Sequence, residues 1–270
     1  MRMGRALSAT LALLTLSCCA SLARAADVSP ALLKELAPTG RLRAAINYGN
    51  PVLAQRATDG AAPLGISADL ARELAKRLGV EIAYVEFEGA GFVVDALKQD
   101  RWDVAFLAID PKRAEEIAFS PPYVLIEGAY LVRANSPLQK VEDVDHPGIR
   151  VAAGRGSTYD LFLTRELKQA QIVRAPTSAA AIDLFLKDDL DVCAGVRQPL
   201  EAYAREHSGT RVLPGRFMTI SQAVATPKPR AEAARYVRDF IEEMKASGFV
   251  ARGLAASGQT EATVAPPQAQ

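Results

Sequence analysis

The segment Asp103-Val-Ala-Phe-Leu-Ala-Ile109 constrains the fold more than any other part of the chain. A strand with water on one face alternates apolar and polar residues, whereas this run is apolar at successive positions. It therefore suits a strand buried on both faces of a parallel sheet. Its neighbours agree with that reading. Residues 41–46 alternate and read as a strand; Ser67 can cap a helix whose Leu70, Leu74 and Leu78 recur every fourth residue and which stops at Gly79. Residues 81–87 form a second strand and 92–99 a short helix. Strand–helix–strand units with short connections predict an α/β fold.

The pattern then starts again. Residues 150–153 are a strand, Gly154 to Thr158 a turn that opens a helix through about Leu167, 171–174 a strand, 177–187 a helix and 191–196 a strand. A helix over 199–206 and a strand near Val212 follow. Residues 222–226 make one more strand, and 230–245 a long amphipathic helix with Ala234, Val237, Ile241 and Met244 on one face. Element order repeats while residues do not, which favours two α/β lobes over one continuous sheet. The chain would cross near 131–136 and return near 215–219. Residues 26–133 with 219–257 would make lobe 1, 134–218 lobe 2, and the final helices would rejoin the first lobe.

The ends fix the compartment. Arg2 and Arg5 precede an apolar stretch over 7–22, and Ala23-Arg24-Ala25 supplies the small residues at which a signal peptidase cuts. Residues 1–25 thus read as a secretory signal, too short to span a bilayer comfortably, and the product as a periplasmic protein. Leu16-Ser17-Cys18-Cys19 loosely resembles a lipid-attachment site, but neither cysteine has its preferred neighbours, so a soluble mature chain is expected over a lipid-anchored one. Loss of the three leader arginines takes the formal charge from +1 to −2. That near-balance argues against a nucleic-acid partner, which needs a clustered basic surface. Of three cysteines only Cys193 survives cleavage, so no internal disulfide can form and the core alone must hold the fold. Residues 258–270, with Pro266-Pro267 and no apolar period, read as a disordered tail.

Three stretches in register carry a resemblance. They are the segment from Gly65-Ile-Ser-Ala-Asp-Leu to Gly79, the segment Ala96-Leu-Lys-Gln-Asp-Arg-Trp-Asp-Val-Ala105, and Ile109-Asp-Pro-Lys-Arg113 through Ala118-Phe-Ser-Pro-Pro-Tyr123. Together with an export signal they resemble the family 3 periplasmic solute-binding proteins, which deliver polar amino acids to ABC importers. The similarity runs from about Gly40 to Gly253. It implies a type II periplasmic-binding-protein clamshell, two α/β lobes joined by two hinge strands, with the ligand between them. It also implies a monomer whose partners are a small carboxylate-bearing molecule and an inner-membrane ABC permease, with no cofactor and no metal.

Arg113 follows the 103–109 strand, where the C-terminal ends of parallel strands face a ligand crevice. Its planar, permanently charged guanidinium can hold a carboxylate through two parallel hydrogen bonds, and the resemblance gives it that role. A surface pair with Glu115 or Glu116 is the plainer reading. Gly156, Ser157 and Thr158 supply a tight turn and the unpaired amides of a helix start, which favour an anion. Their hydroxyls can bond a ligand or cap the helix. The resemblance brings this segment to the same carboxylate from the second lobe, so the two would converge only when the cleft shuts. Asn47, Tyr48, Ala108, Arg155, Val196 and Arg197 are the remaining expected ligand contacts.

The chain departs from the amino-acid binders it resembles. Phe106 and Ala108 stand where those proteins often carry hydroxyls, and Val196 followed by Arg197 where they often place an aspartate for the ligand's ammonium. Tyr48 is shifted from the usual stacking position. Either the ammonium finds another partner, with Asp110 and Glu127 the nearest, or the ligand has none; Arg155 and Arg197 lean towards an acidic ligand. An enzyme on the same clamshell, of the cyclohexadienyl dehydratase type, is the alternative function. Only His146 and His207 are available as imidazoles, and no zinc-ligand spacing, nucleophile elbow or phosphate loop occurs. Nothing selects an acid–base pair among Glu88, Asp110 and Glu127, so binding is expected rather than catalysis.

Overall fold

The computed structural model describes residues 28–268. The secretory signal expected over 1–25, with its lipid-attachment variant, lies outside them. In chain order the elements are α1 (Pro30–Leu36), β1 (Arg41–Asn47), α2 (Ile66–Leu78), β2 (Glu81–Phe87), α3 (Ala90–Leu97), β3 (Val104–Ala108), β4 (Ile117–Arg133), β5 (Arg150–Gly154) and α4 (Thr158–Glu166). They continue with β6 (Gln171–Ala175), α5 (Ser178–Lys187), β7 (Val192–Val196), α6 (Arg197–Glu206), β8 (Thr210–Val212), β9 (Met218–Pro227), α7 (Ala231–Ala246), α8 (Phe249–Ala256) and β10 (Thr263–Val264).

One mixed sheet runs β2-β1-β3-β9-β4-β7-β5-β6, with β8 and β10 added on β4. Its two ends are parallel βαβ units: β1 with β2 and β3, and β5 with β6 and β7. The apolar run is β3, buried at every position, but its second neighbour is β9 and antiparallel, so the sheet is mixed rather than wholly parallel. The centre is the long strand β4. It pairs with β9 from Ile117↔Pro227 to Gly128↔Met218, and with β7 from Gly128↔Val196 to Val132↔Val192. The sheet therefore changes hands at Gly128, giving the two α/β lobes of a type II periplasmic-binding-protein clamshell. α7 returns to the first lobe, where Arg77 of α2 pairs with Glu243 at 2.6 Å.

Three local expectations change. Helix α2 is capped by Gly65, at φ +96°, and not by Ser67, whose buried hydroxyl meets the Tyr123 hydroxyl at 3.2 Å. The buried stripe of α7 uses Ala233 and Phe240 beside Val237, Ile241 and Met244, and Ala234 is only partly covered. The expected disordered tail is ordered through residue 268. β10 pairs with β4 at Val124 and Leu125, the Ala265 amide donates to the Tyr123 carbonyl at 3.1 Å, and Lys245 Nζ donates to the Pro266 carbonyl at 2.9 Å. An unpaired strand edge is a strong template for even a weakly patterned segment.

Candidate ligand-binding site

Arg113 is 3 % exposed, which is rare for a guanidinium and demands partners. The turn after β3 sets it: the Asp110 carboxylate accepts from the amides of Lys112, at 2.8 Å, and Arg113, at 3.4 Å. That Asx-type turn sends the Arg113 side chain back under the end of β3, where Nη1 donates to the Ala108 carbonyl at 2.8 Å. Nη2 crosses to the second lobe and donates to the Gly156 carbonyl at 2.9 Å, while the buried Nε has no partner. Burial pulls the guanidinium down to about 10, opposed by the nearby Asp110 charge, so it remains a cation at neutral pH.

The second lobe approaches through the turn into α4. Gly156 has φ +68° and donates its amide to Asp160 at 2.8 Å. Ser157 is the N-cap, its hydroxyl accepting from the Asp160 amide at 3.0 Å. The cap therefore occupies the Ser157 side chain and leaves the Thr158 and Tyr159 amides, at the positive end of the helix dipole, without an intrahelical acceptor; both residues border the gap. The lobes touch as backbone on backbone: a β-carbon at Gly91 would lie 2.8 Å from the Arg155 carbonyl oxygen, and one at Gly156 would lie 2.8 Å from the Gly91 α-carbon. An ion pair of 3.0 Å between Arg165 of α4 and Asp110 adds a further bridge.

Between these groups lies a space of about 30 Å³. Arg113, Ser157, Thr158, Asn47, Ala108 and Val196 all border it, so six of the expected contacts share one cavity. Gly156 and Arg155 instead border a wider cleft of about 570 Å³, which Arg113 also lines. Phe92, Leu161 and Pro176 form its apolar wall, Asp95, Lys98, Lys112, Glu115 and Glu116 are its charged residues, and Arg155 is exposed there. Tyr48 borders a cleft of about 470 Å³ on the other side, with Arg56 over its ring at 4.1 Å.

Arg197 is not among the residues bordering the cavity. It donates to Glu127 at 2.7 Å and to Glu201 at 3.2 Å and also reaches the Gly215 carbonyl, while Arg216 meets Glu127 at 2.9 Å. Its charge serves a cluster beside the point where β4 changes partners. Burial pushes the Glu127 carboxyl up, but the bonds from Arg197 and Arg216 outweigh it and hold the group below the usual carboxylate range.

Asn50, Gln222, Ser178 and Tyr159 also border the cavity and were not expected. Asn50 is 6 % exposed with its Oδ1 unpartnered, and Tyr159 donates to Ser178 at 2.5 Å. The Asn47-to-Asn50 loop could have drawn attention to Asn50, since a polar side chain following a parallel strand faces the crevice. Gln222, on the return strand, left no such trace.

A cyclohexadienyl dehydratase of Pseudomonas aeruginosa is 27% identical over 183 residues, 66% of this chain and 67% of that one. The histidine-binding periplasmic protein of Escherichia coli K12 is 26% identical over 199 residues, 68% of this chain and 75% of the other. A crystal structure of an amino acid ABC transporter substrate-binding protein of Streptococcus pneumoniae, bound to L-arginine, superposes with a TM-score of 0.71 at 21% identity, covering 83% of this chain and 97% of that one. The family model for bacterial extracellular solute-binding proteins, family 3, matches residues 42–255, most of the chain, and the protein therefore belongs to that family.

Proposed function

We propose that this protein is the periplasmic substrate-binding component of an ABC importer, capturing a small carboxylate-bearing solute between its lobes. One observation carries the reading: Arg113 on one lobe and Ser157, Thr158 and Tyr159 at the start of α4 on the other border one cavity. A cation and a helix N-terminus facing each other across a gap favour an anion, and both engage it only with the lobes together. Residues 1–25 would direct export and then be removed. The hinge would lie where β4 passes Gly128 and β9 begins, and a permease would read the lobe faces that border the cleft, since their relation changes on closure.

The similarity to a dehydratase supports a second reading, an enzyme in the same cleft. Elimination needs a group that protonates the leaving oxygen. Among the described residues no carboxyl, imidazole or thiol borders the cavity, and burial pushes the Tyr159 hydroxyl up to about 12, opposed by its bond to Ser178. That lining favours capture.

The test is calorimetric titration of a panel of amino, oxo, hydroxy and dicarboxylic acids into the wild type and Arg113→Ala, with circular dichroism to follow folding. At least one carboxylate should bind, and the variant should weaken it at least tenfold, about 1.4 kcal/mol. If no carboxylate binds, or the folded variant binds as tightly, the reading is wrong. Turnover of prephenate or arogenate to an aromatic product would replace it with the enzyme.

A further inference from the structure

The cavity that receives the anion holds a single formal charge. Arg113 borders it and, among the described residues, no aspartate, glutamate or lysine does. The acids that might have served an ammonium are already committed. Asp110 faces away into its own turn and pairs with Arg165 at 3.0 Å, and Glu127 is held by Arg197 and Arg216 at 2.7 and 2.9 Å. The wall opposite is apolar: Val196, Ala108 and Ile220 present hydrocarbon. An α-ammonium placed here would lose its hydration beside a guanidinium and gain no anionic partner, which is a heavy electrostatic cost. Arg197 points away from the cavity, so a second acidic group on the ligand would find no second cation there.

Two of the residues that border the space each hold a buried polar atom without a partner, and the two atoms differ in kind. Arg113 Nε is a charged donor on a side chain 3 % exposed, and Asn50 Oδ1 is a neutral acceptor on a side chain 6 % exposed. A buried donor and a buried acceptor left without partners mark the chemistry the cavity is built to receive. The donor suits a carboxylate oxygen. The acceptor suits a neutral hydroxyl, which brings one hydrogen and no charge. At about 30 Å³ this space is far smaller than the neighbouring clefts of about 570 and 470 Å³, so it suits the polar head of a solute rather than its body. The body must extend past Val196, which also borders the cleft of about 470 Å³, where Ile182, Pro199 and Leu200 make an apolar wall and the bordering carboxylate, Glu88, is already paired with Arg56.

We propose that this site selects 2-hydroxy monocarboxylates with an apolar body over the amino acids of the same skeleton, and that Asn50 determines the choice. The carboxylate meets Arg113 Nε and the α4 amides, the hydroxyl donates to Asn50 Oδ1, and the hydrocarbon lies along Val196. This rests on the carboxylate capture proposed above and goes beyond it in naming the class.

Calorimetry on matched triads tests it: lactate, pyruvate and alanine; 2-hydroxyisocaproate, 4-methyl-2-oxopentanoate and leucine; phenyllactate, phenylpyruvate and phenylalanine. The hydroxy acid should bind at least tenfold tighter than the amino acid in any triad that binds, with the oxo acid between them. The isosteric Asn50→Asp should narrow that gap at least tenfold or reverse it, since it places a carboxylate where the ammonium would lie. An amino acid that binds the wild type as tightly as its hydroxy acid overturns the selection while leaving carboxylate capture intact. An oxo acid tighter than the hydroxy acid, or an Asn50→Asp variant with unchanged order, overturns the role of Asn50. If no member of any triad binds but a dicarboxylate or a basic amino acid does, the class is wrong and the capture stands. If no carboxylate binds at all, both fall.

Discussion

Gly91→Ala separates closure from folding. Gly91 is the second residue of α3, in helical conformation, so alanine is acceptable to its own lobe and helps the helix by up to about 1 kcal/mol. In the closed arrangement, however, the new β-carbon would stand 2.8 Å from the Arg155 carbonyl oxygen and 3.4 Å from the Gly156 α-carbon. Both neighbours are backbone and cannot rotate aside. To restore ordinary contact the lobes must part by roughly 0.6–1 Å. The Arg113–Gly156 bond, now 2.9 Å, would then stretch to roughly 3.5 Å or beyond, past the range of a hydrogen bond. Overpacking of this kind costs about 1–3 kcal/mol. The cost falls on the closed form alone, so it subtracts directly from ligand affinity: roughly 5- to 150-fold in Kd. The assay pairs calorimetric Kd with the melting temperature of the ligand-free protein. Affinity should fall while the ligand-free melting temperature stays level or rises. A Kd within twofold of wild type would show that the bound form does not bring Gly91 against Gly156, and the description of closure would be wrong.

Truncation after Ser257 removes the strap that pairs with β4 and buries Ala265; a loss of about 1–3 kcal/mol should lower the melting temperature by roughly 3–10 °C, and an unchanged transition would mean the pairing contributes nothing. The ion cluster at Glu127 gives a pH dependence: its folded carboxyl is held below the ordinary range, so its stabilisation is complete above the unfolded value and is lost as pH falls through the folded one. Glu127→Gln should therefore flatten the acid side of a stability–pH profile, and a parallel profile would refute the assignment.

Much of the lobes was legible because their signals are local. The apolar run at β3, the fourfold leucine spacing of α2 and the turn into α4 each act within one element, and each lies where expected. β4 was not legible. Pro121 and Pro122 break the strand pattern, and the structure accommodates them at two register shifts against β9. The strap at β10 was hidden for a different reason: its order comes from the edge of β4, a partner far away in sequence. The site divides the same way. Arg113 and the α4 turn are placed by their own loops. The direction of Arg197 is chosen by Glu127, 70 positions earlier, and the open acceptor of Asn50 is defined only by what surrounds it.

That distinction bears on how a solute would shift the lobes. Arg113 already spends one arm within its own lobe, on Ala108, and one across the gap, on Gly156. Each outer nitrogen carries two hydrogens, so one N–H on each, as well as Nε–H, is left for a carboxylate without displacing the Ala108 or Gly156 carbonyl. A carboxylate that takes those free N–H groups leaves the bridge whole and adds new bonds to the α4 amides. The bonds to the second lobe are contacts that the open form lacks, and only differential contacts move a population. Taking such an equilibrium from 1:99 to 99:1 needs about 5.5 kcal/mol of preference. The bonds between the lobes, Arg113 to Gly156 and Arg165 to Asp110, reduce what the solute must supply. A small head group in a cavity of about 30 Å³ can then suffice, because it completes a closure that the protein has largely assembled from its own atoms.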